Sequence, residues 1–235
     1  MPAKLYLIPV PLGPSDYLPV PQQVIQVVHS LDHFIVERGK TARRFLKNWK
    51  TPIPFQEMTF FELNKRTDLA ELPSFLEPAL KMGKSIGLMS EAGCPGVADP
   101  GAAVIEMAHA KGIEVVPLVG PSSILLALMA SGFNGQCFGF EGYLPIKKGD
   151  RQRKIKQLYA QSKKEGRSQI FIETPYRNMA MLEDLLAQLP KHCRLCVAAD
   201  ISLPSQYIKS QTVAEWKKGE LPELHKRPTV FLFLA

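Results

Sequence analysis

The stretch from Ser85 to Ser123, SIGLMSEAGCPGVADPGAAVIEMAHAKGIEVVPLVGPSS, decides how the rest of the chain is read. Its pattern predicts a strand over Ser85 to Met89, a loop carrying three glycines and two prolines by Gly101, and a helix to about Lys111. A second strand, Glu114 to Leu118, then runs into another Gly-Pro turn. Two such loops at the carboxyl ends of two strands are where open α/β sheets hold ligands, because glycine lets backbone amides approach a bound molecule closely. Glycine and proline also punctuate ordinary αβ connections, but the first loop is about twice the usual two to six residues. A small-molecule pocket is therefore expected here.

Working outward, Lys4 to Pro9 reads as a buried opening strand delivered into the rigid turn Val10-Pro11-Leu12-Gly13-Pro14. A helix is expected from about Pro21, with Val24, Ile25, Val27, Val28 and Leu31 on its apolar face. The strand His33 to Val36 leads to Glu37-Arg38-Gly39-Lys40, after which Thr41 is expected to cap a helix ending near Trp49. Thr51 to Arg66 suggests one short strand and a polar loop, and Glu71 to Met82 a helix. Asp99 is expected as the N-cap of the helix after the long loop, with Pro100 at its first position.

Beyond Gly132 strands become denser: Cys137 to Phe140, Gln169 to Glu173, Leu195 to Ala199, one around Tyr207, and Thr229 to Leu234. A basic helix over Asp150 to Lys164 and an amphipathic helix to Leu189 lie among them. The fold class expected is α/β with two domains, an N-terminal one (1–119) built on a parallel sheet and a C-terminal one (120–235) on a mixed sheet.

Composition excludes several classes. The 235 residues are 46% hydrophobic and 22% charged, an ordinary balance for packed domains, and no apolar run approaches the ~20 residues of a membrane span. A cytoplasmic location is expected, since no secretory leader pattern precedes the first strand. His192-Cys193-x-x-Cys196 has metal-like spacing, but no second such pair exists, so no metal is expected and both cysteines read as buried strand residues. Gly83-Lys84-Ser85 lacks the earlier glycine and the following helix of a phosphate-binding loop. Ser122 lacks the second glycine of a nucleophile elbow.

The net charge of +7 is concentrated. Between Lys147 and Arg167 nine basic residues face only Asp150 and Glu165, which leaves the remainder of the chain neutral in total. That concentration suits a polyanion-binding surface, and equally a solvated helix face.

Three stretches together resemble one family: Ser90-Glu91-Ala92-Gly93-Cys94-Pro95-Gly96-Val97-Ala98-Asp99-Pro100-Gly101, Val116-Pro117-Leu118-Val119-Gly120-Pro121-Ser122-Ser123, and Phe138-Gly139-Phe140-Glu141-Gly142-Tyr143-Leu144-Pro145-Ile146-Lys147-Lys148. They resemble the tetrapyrrole methylase superfamily of S-adenosylmethionine (SAM)-dependent methyltransferases, and within it the bacterial small-subunit rRNA (cytidine-2′-O)-methyltransferases. The resemblance implies a homodimer with SAM in a cleft between two domains. It implies cofactor contacts at Pro11, Gly13, Cys94, Val97, Ser122 and Ser123, and further ones near Glu173, Ala199, Pro228 and Thr229. The chain departs from the family pattern in carrying Glu37-Arg38-Gly39-Lys40 where Glu-Asp-Thr-Arg is usual, and Glu91 and Cys94 where aspartate and threonine are usual.

A ribose hydroxyl needs a group that takes its proton as it attacks, and Glu91 and Glu37, each following a strand of the central crevice, are the candidate bases. Arg43, Arg177 and Lys147 are candidate phosphate ligands. Lys148, Arg151 and Lys154 extend that set along the basic segment, as the surface expected to meet small-subunit ribosomal RNA. A SAM-dependent methyltransferase acting on a tetrapyrrole or other small molecule, and, from a different class, a non-catalytic SAM- or RNA-binding relative, are the alternatives.

Overall fold

The structure, a computed structural model, describes residues 2–14, 20–64 and 66–235. Two compact units divide them, 1–122 and 123–235.

The first unit is built on five parallel strands in the order β3-β2-β4-β1-β5: β1 (Lys4–Ile8), β2 (His33–Val36), β3 (Thr59–Glu62), β4 (Ile86–Met89) and β5 (Glu114–Pro117). Every residue of β2 and β4 is buried, as expected of strands covered on both faces by crossover helices. Apolar side chains pack one face through α1 (Gln22–His29) and α2 (Gly39–Asn48), where Val24, Val28, Phe45, Leu46 and Trp49 meet Ile8, Phe34 and Met89. The other face is covered by α3 (Leu72–Phe75), α4 (Glu77–Met82) and α5 (Gly101–Ala110), whose Leu72, Phe75, Val104 and Ala108 pack on Leu5, Ile35 and Leu88.

Two local expectations are corrected. Glu71 to Met82 is not one helix, because Pro78 supplies no N–H for a continuous ladder and the chain restarts at Glu77. Nor does Thr41 cap α2. The helix begins two residues earlier, with the free Gly39 N–H held by Glu62 Oε1 at 2.8 Å, an acceptor brought in by the end of β3. The span 51–64 holds a 3₁₀ turn (Phe55–Glu57) and β3, while Lys65 lies outside the described residues.

The second unit opens with α6 (Ser123–Ser131) and carries a mixed sheet in the order β6-β7-β10-β8-β9. Its strands are β6 (Phe138–Tyr143), β7 (Ser168–Ile172), β8 (Arg194–Ala199), β9 (Tyr207–Thr212) and β10 (Thr229–Leu234). The pair β6 and β7 is parallel and every other pairing antiparallel. β6 continues past Phe140 to Tyr143 through a register shift, which Gly142 at φ +64° permits. α7 (Lys148–Glu165), α8 (Asn178–Gln188) and the short α9 (Val213–Trp216) cover one face, around Leu158, Phe171, Leu185, Val197, Trp216 and Phe231. Because β10 runs against β7 and β8, the ends of β6, β7 and β8 share one end of the sheet, here called the shared sheet edge, with the start of β10.

Candidate functional site

Three loops of the first unit meet at the carboxyl end of its sheet. An isolated antiparallel bridge joins Val10 to Gly93, with Val10 N–H donating to Gly93 O at 2.9 Å and Gly93 N–H to Val10 O at 3.1 Å. The bridge ties the turn after β1 to the long loop after β4. Cys94 Sγ then donates to Pro121 O at 3.3 Å, which ties the long loop to the turn after β5. Gly120 closes the set: a Cβ built on it would lie 2.2 Å from Pro9 Cγ, so no other residue fits without moving a loop. The long loop folds through left-handed conformations at Gly93 (φ +72°) and Gly96 (φ +84°), which is why its glycines stand where they do.

Pro11, Gly13, Cys94 and Ser122 are thus brought together around Gly93, and Val97, 47% exposed, stands on the outer part of the same loop. The stretches 9–14, 93–98 and 117–123 contain no charged residue. They offer backbone carbonyls, amides and apolar side chains.

Beside the long loop a small crevice is lined by Val36, Glu37, Leu63, Leu88, Met89, Asp99, Pro100 and Gly101. Glu37 is half-buried here, and its Oε1 accepts from Glu91 N–H at 3.1 Å. Burial pushes the Glu37 carboxyl above the ordinary glutamate range; the Glu91 amide opposes that shift, and repulsion from Asp99 and Glu91 adds to it. The Glu91 side chain is held separately, its Oε2 accepting from Thr41 Oγ1 at 3.0 Å. Asp99 Oδ1 accepts from Gly101 N–H at 2.8 Å and Gly96 N–H at 2.9 Å. Burial raises the Asp99 pKa against those two bonds. Asp99 therefore does a cap's job from one position outside the expected one, since α5 begins at Gly101 with Pro100 before it. Thr41 and Glu62, which anchor this corner, were not legible as site residues, for each acts across the sheet.

In the second unit, Glu173, Ala199, Pro228 and Thr229 gather at the shared sheet edge. Ala199 pairs with Thr229, and Pro228 O accepts from Asp200 N–H at 2.9 Å. Glu173 is buried, its Oε1 accepting from Thr174 N–H and Arg177 Nη2, both at 2.6 Å. Glu173 Oε2 is buried with no hydrogen-bond partner among the described residues. The bond to Glu173 raises the Arg177 pKa. Ser123 is the first residue of α6.

The basic segment is partly engaged by protein, four of its nine cations meeting carboxylates. Arg151, expected on its surface, is 6% exposed, and its guanidinium donates to Asp184 Oδ2 and to Ile146 O. The amphipathic turn of α7 carries it inward, so it is corrected from a surface ligand to a core ion pair. Lys154 lies 3.2 Å from Glu141, which also has Arg167 at 3.9 Å. Lys147 and Lys148 are exposed. In the first unit, Arg43 is exposed and lies 4.5 Å over the Phe60 ring. Cys193 and Cys196 are buried, with thiols pushed up to about 12 by burial. Among the described residues no group of three or more His, Cys, Asp or Glu is placed to hold a metal ion. No helix among them is long and apolar enough to cross a membrane.

Residues 4–217 match the sequence profile of the Tetrapyrrole (Corrin/Porphyrin) Methylases. Two proteins named ribosomal RNA small subunit methyltransferase I are similar over most of the chain. That of Vibrio cholerae is 31% identical over 231 residues, covering 92% of this chain and 75% of its own. That of Thermotoga maritima is 32% identical over 183 residues, covering 78% and 77%. Among solved structures, the methyltransferase CobJ superposes with a TM-score of 0.66 at 18% identity, covering 99% of this chain and 94% of that one. Diphthine synthase does so with 0.63 at 18% identity, covering 99% and 90%. The two α/β sheets and the strand-end loops are thus those of a known methyltransferase architecture, and the chain belongs to the tetrapyrrole (corrin/porphyrin) methylase family of SAM-dependent methyltransferases.

Proposed function

We propose that this methyltransferase transfers the methyl of SAM to a ribose 2′-hydroxyl of small-subunit ribosomal RNA, with Glu37 as the base. The observation that carries the choice of base is the half-buried Glu37 carboxyl, raised in pKa and fixed by the Glu91 amide in the crevice beside the long loop. The relatives' name, ribosomal RNA small subunit methyltransferase I, supports the acceptor.

The cofactor fits what the first unit offers. Pro11, Gly13, Cys94, Val97 and Ser122 present uncharged, backbone-rich walls to a nucleoside and an amino-acid tail that carries both charges itself. In the second unit Ser123, Glu173, Ala199, Pro228 and Thr229 are the proposed cofactor contacts, and the buried Glu173 Oε2 is an acceptor that a hydroxyl or ammonium donor of a ligand would satisfy. When bound, SAM supplies a methyl on a sulfonium, which departs as a neutral thioether. Glu37 takes the hydroxyl proton as the ribose oxygen forms its bond to the methyl carbon, so charge does not build up on that oxygen. Glu91, through its amide, orients the Glu37 carboxylate, and Thr41 holds the Glu91 side chain in place. Rigid loops, pinned by the Val10–Gly93 bridge and the Gly120–Pro9 contact, keep donor and acceptor in line.

Arg43, Lys147, Lys148 and Arg177 are proposed phosphate ligands, and Lys154 a partly neutralised one beside Glu141. A homodimer in the cytoplasm is part of the same reading. It is supported by α6, whose Leu125 and Met129 side chains are 51% and 77% exposed, an apolar surface of the kind that subunit contacts cover.

The test is incubation with methyl-labelled SAM and isolated small subunits, large subunits and assembled ribosomes. Label is expected in small-subunit RNA alone, at an alkali-resistant linkage that marks a 2′-O-methyl. Label in no ribosomal RNA, with turnover of a porphyrinogen instead, would overturn the reading. Glu37→Gln is expected to slow transfer about 10²–10⁴-fold, the usual contribution of a positioned base, with SAM affinity unchanged.

A further inference from the structure

We infer that the exposed face of α2, not α7, is the main electrostatic track for the RNA backbone. From Arg38 to Lys50 the chain carries Arg38, Lys40, Arg43, Arg44, Lys47 and Lys50, and no acidic residue occurs between Glu37 and Glu57. All six are exposed, and none makes an ion pair among the described residues. Lys40, Arg43, Arg44 and Lys47 stand at i, i+3, i+4 and i+7, which puts them on one helix face. From Lys40 to Lys47 that face extends about 10 Å, and Lys50 follows just past the end of the helix. Of the nine basic residues in the segment 147–167, Arg151 is buried on Asp184, Arg153 is paired with Asp150, and Lys154 and Arg167 face Glu141. That leaves Lys147, Lys148, Lys156, Lys163 and Lys164 exposed and without an ion pair among the described residues, five cations interspersed with Asp150 and Glu165 against six with no acidic residue among them. Counting charge over the whole chain hid α2, because acidic residues elsewhere balance it.

Two further observations point to a nucleic-acid backbone. The apolar face of α2 (Ala42, Phe45, Leu46, Trp49) is buried in the first unit's core, so the helix has no apolar stripe to insert into a lipid surface. Its N-terminal end adjoins the candidate base: Arg38 follows Glu37 and acts on its charge, and Thr41 holds Glu91. A strand laid along Lys50, Lys47, Arg44 and Lys40 would therefore be led toward the residues proposed to activate a ribose hydroxyl. Neutralising cations along such a track releases counterions from the RNA, which makes binding steeply salt-dependent.

This inference rests on RNA being the acceptor, and the experiment separates the two. Binding of purified small-subunit ribosomal RNA is measured between 50 and 200 mM salt for the wild type, for Lys40→Gln/Lys47→Gln/Lys50→Gln on and just past α2 (the α2 variant), and for Lys156→Gln/Lys163→Gln/Lys164→Gln in α7. These substitutions remove charge at exposed positions that make no ion pair or ring contact among the described residues, and circular dichroism and SAM affinity report that the fold is kept. For single-stranded contacts each lost cation lowers the log–log salt slope by about 0.7, so the α2 variant should lose about 2 units of slope. Over that fourfold salt range its affinity then falls about 18-fold less than the wild type's. The α7 variant should follow the wild type. An unchanged slope in the α2 variant, or a loss confined to the α7 variant, overturns the inference while leaving RNA as the acceptor. A wild type that neither binds nor labels ribosomal RNA overturns both readings. An α2 variant that loses affinity for phosphatidylserine vesicles but not for RNA also overturns the inference.

Discussion

Breaking the ion pair between Arg151 and Asp184 should destabilise the second unit more than any surface change in α7. Arg151 Nη2 lies 2.5 Å and Nε 2.7 Å from Asp184 Oδ2, and Nη1 donates to Ile146 O at 2.8 Å. The two side chains are 7% and 4% exposed, so water does not replace a lost partner. Arg151→Met keeps much of the packed stem but leaves Asp184, among the described residues, with Gln152 Nε2 alone, at 2.9 Å. A buried charge deprived of its partner costs about 3–5 kcal/mol. Replacing both members, as Arg151→Met/Asp184→Leu, removes the stranded charge and should return the protein to within about 2 kcal/mol of wild type. With Asp184→Leu alone costing a similar amount, about 3–5 kcal/mol, the double-mutant cycle then yields a coupling of at least about 4 kcal/mol. The assay is urea unfolding followed by fluorescence. The chain has two tryptophans, Trp49 in the first unit and Trp216 buried in the second, so a Trp49→Phe background reports the second unit alone. A loss below about 1 kcal/mol for Arg151→Met, or a double variant as unstable as the two singles added together, would refute the reasoning.

Other consequences follow from the first unit. Because burial raises the Glu37 pKa, the acid limb of kcat/KM should titrate above the ordinary value of 4.5, and Glu37→Gln should abolish that limb; a limb at or below 4.5 would argue for another base. The raised Asp99 pKa stabilises the fold most when the carboxyl is protonated, and that contribution is lost as pH rises through the folded-state value. Asp99→Asn, which keeps an oxygen for Gly96 and Gly101, should therefore raise the melting temperature at pH 7 and leave it unchanged below pH 3.8. Gly120→Ala drives a methyl into Pro9 and should cost about 1–3 kcal/mol and weaken SAM binding, measured by calorimetry, whereas Gly112→Ala, with nothing within 4 Å, should leave SAM binding intact. Native protein at pH 7 should leave Cys193 and Cys196 unmodified by iodoacetamide, with labelling at both only after unfolding in urea.

Much of this protein could be read from its sequence because the signals are local. Hydrophobic runs bounded by glycine and proline placed β1, β2, β4 and β5 to within a residue or two, and the spacing of three motifs identified the family. The loop glycines were legible for the same reason: left-handed backbone at Gly93 and Gly96 is a property of those residues themselves. Tertiary structure decided what depends on partners distant in sequence. It replaced the expected Thr41 cap with Glu62 from the end of β3, and freed the Thr41 hydroxyl for Glu91, fifty residues away in the chain. It set Glu37 beside Glu91 and Asp99, so that burial and like charge raise a carboxyl that looks ordinary in isolation. It also sorted the basic residues. Charge is a property of the sequence, but its availability depends on which side chains fold onto carboxylates: Asp184 and Glu141 take up Arg151 and Lys154 in α7, while the cations of α2 make no ion pair among the described residues.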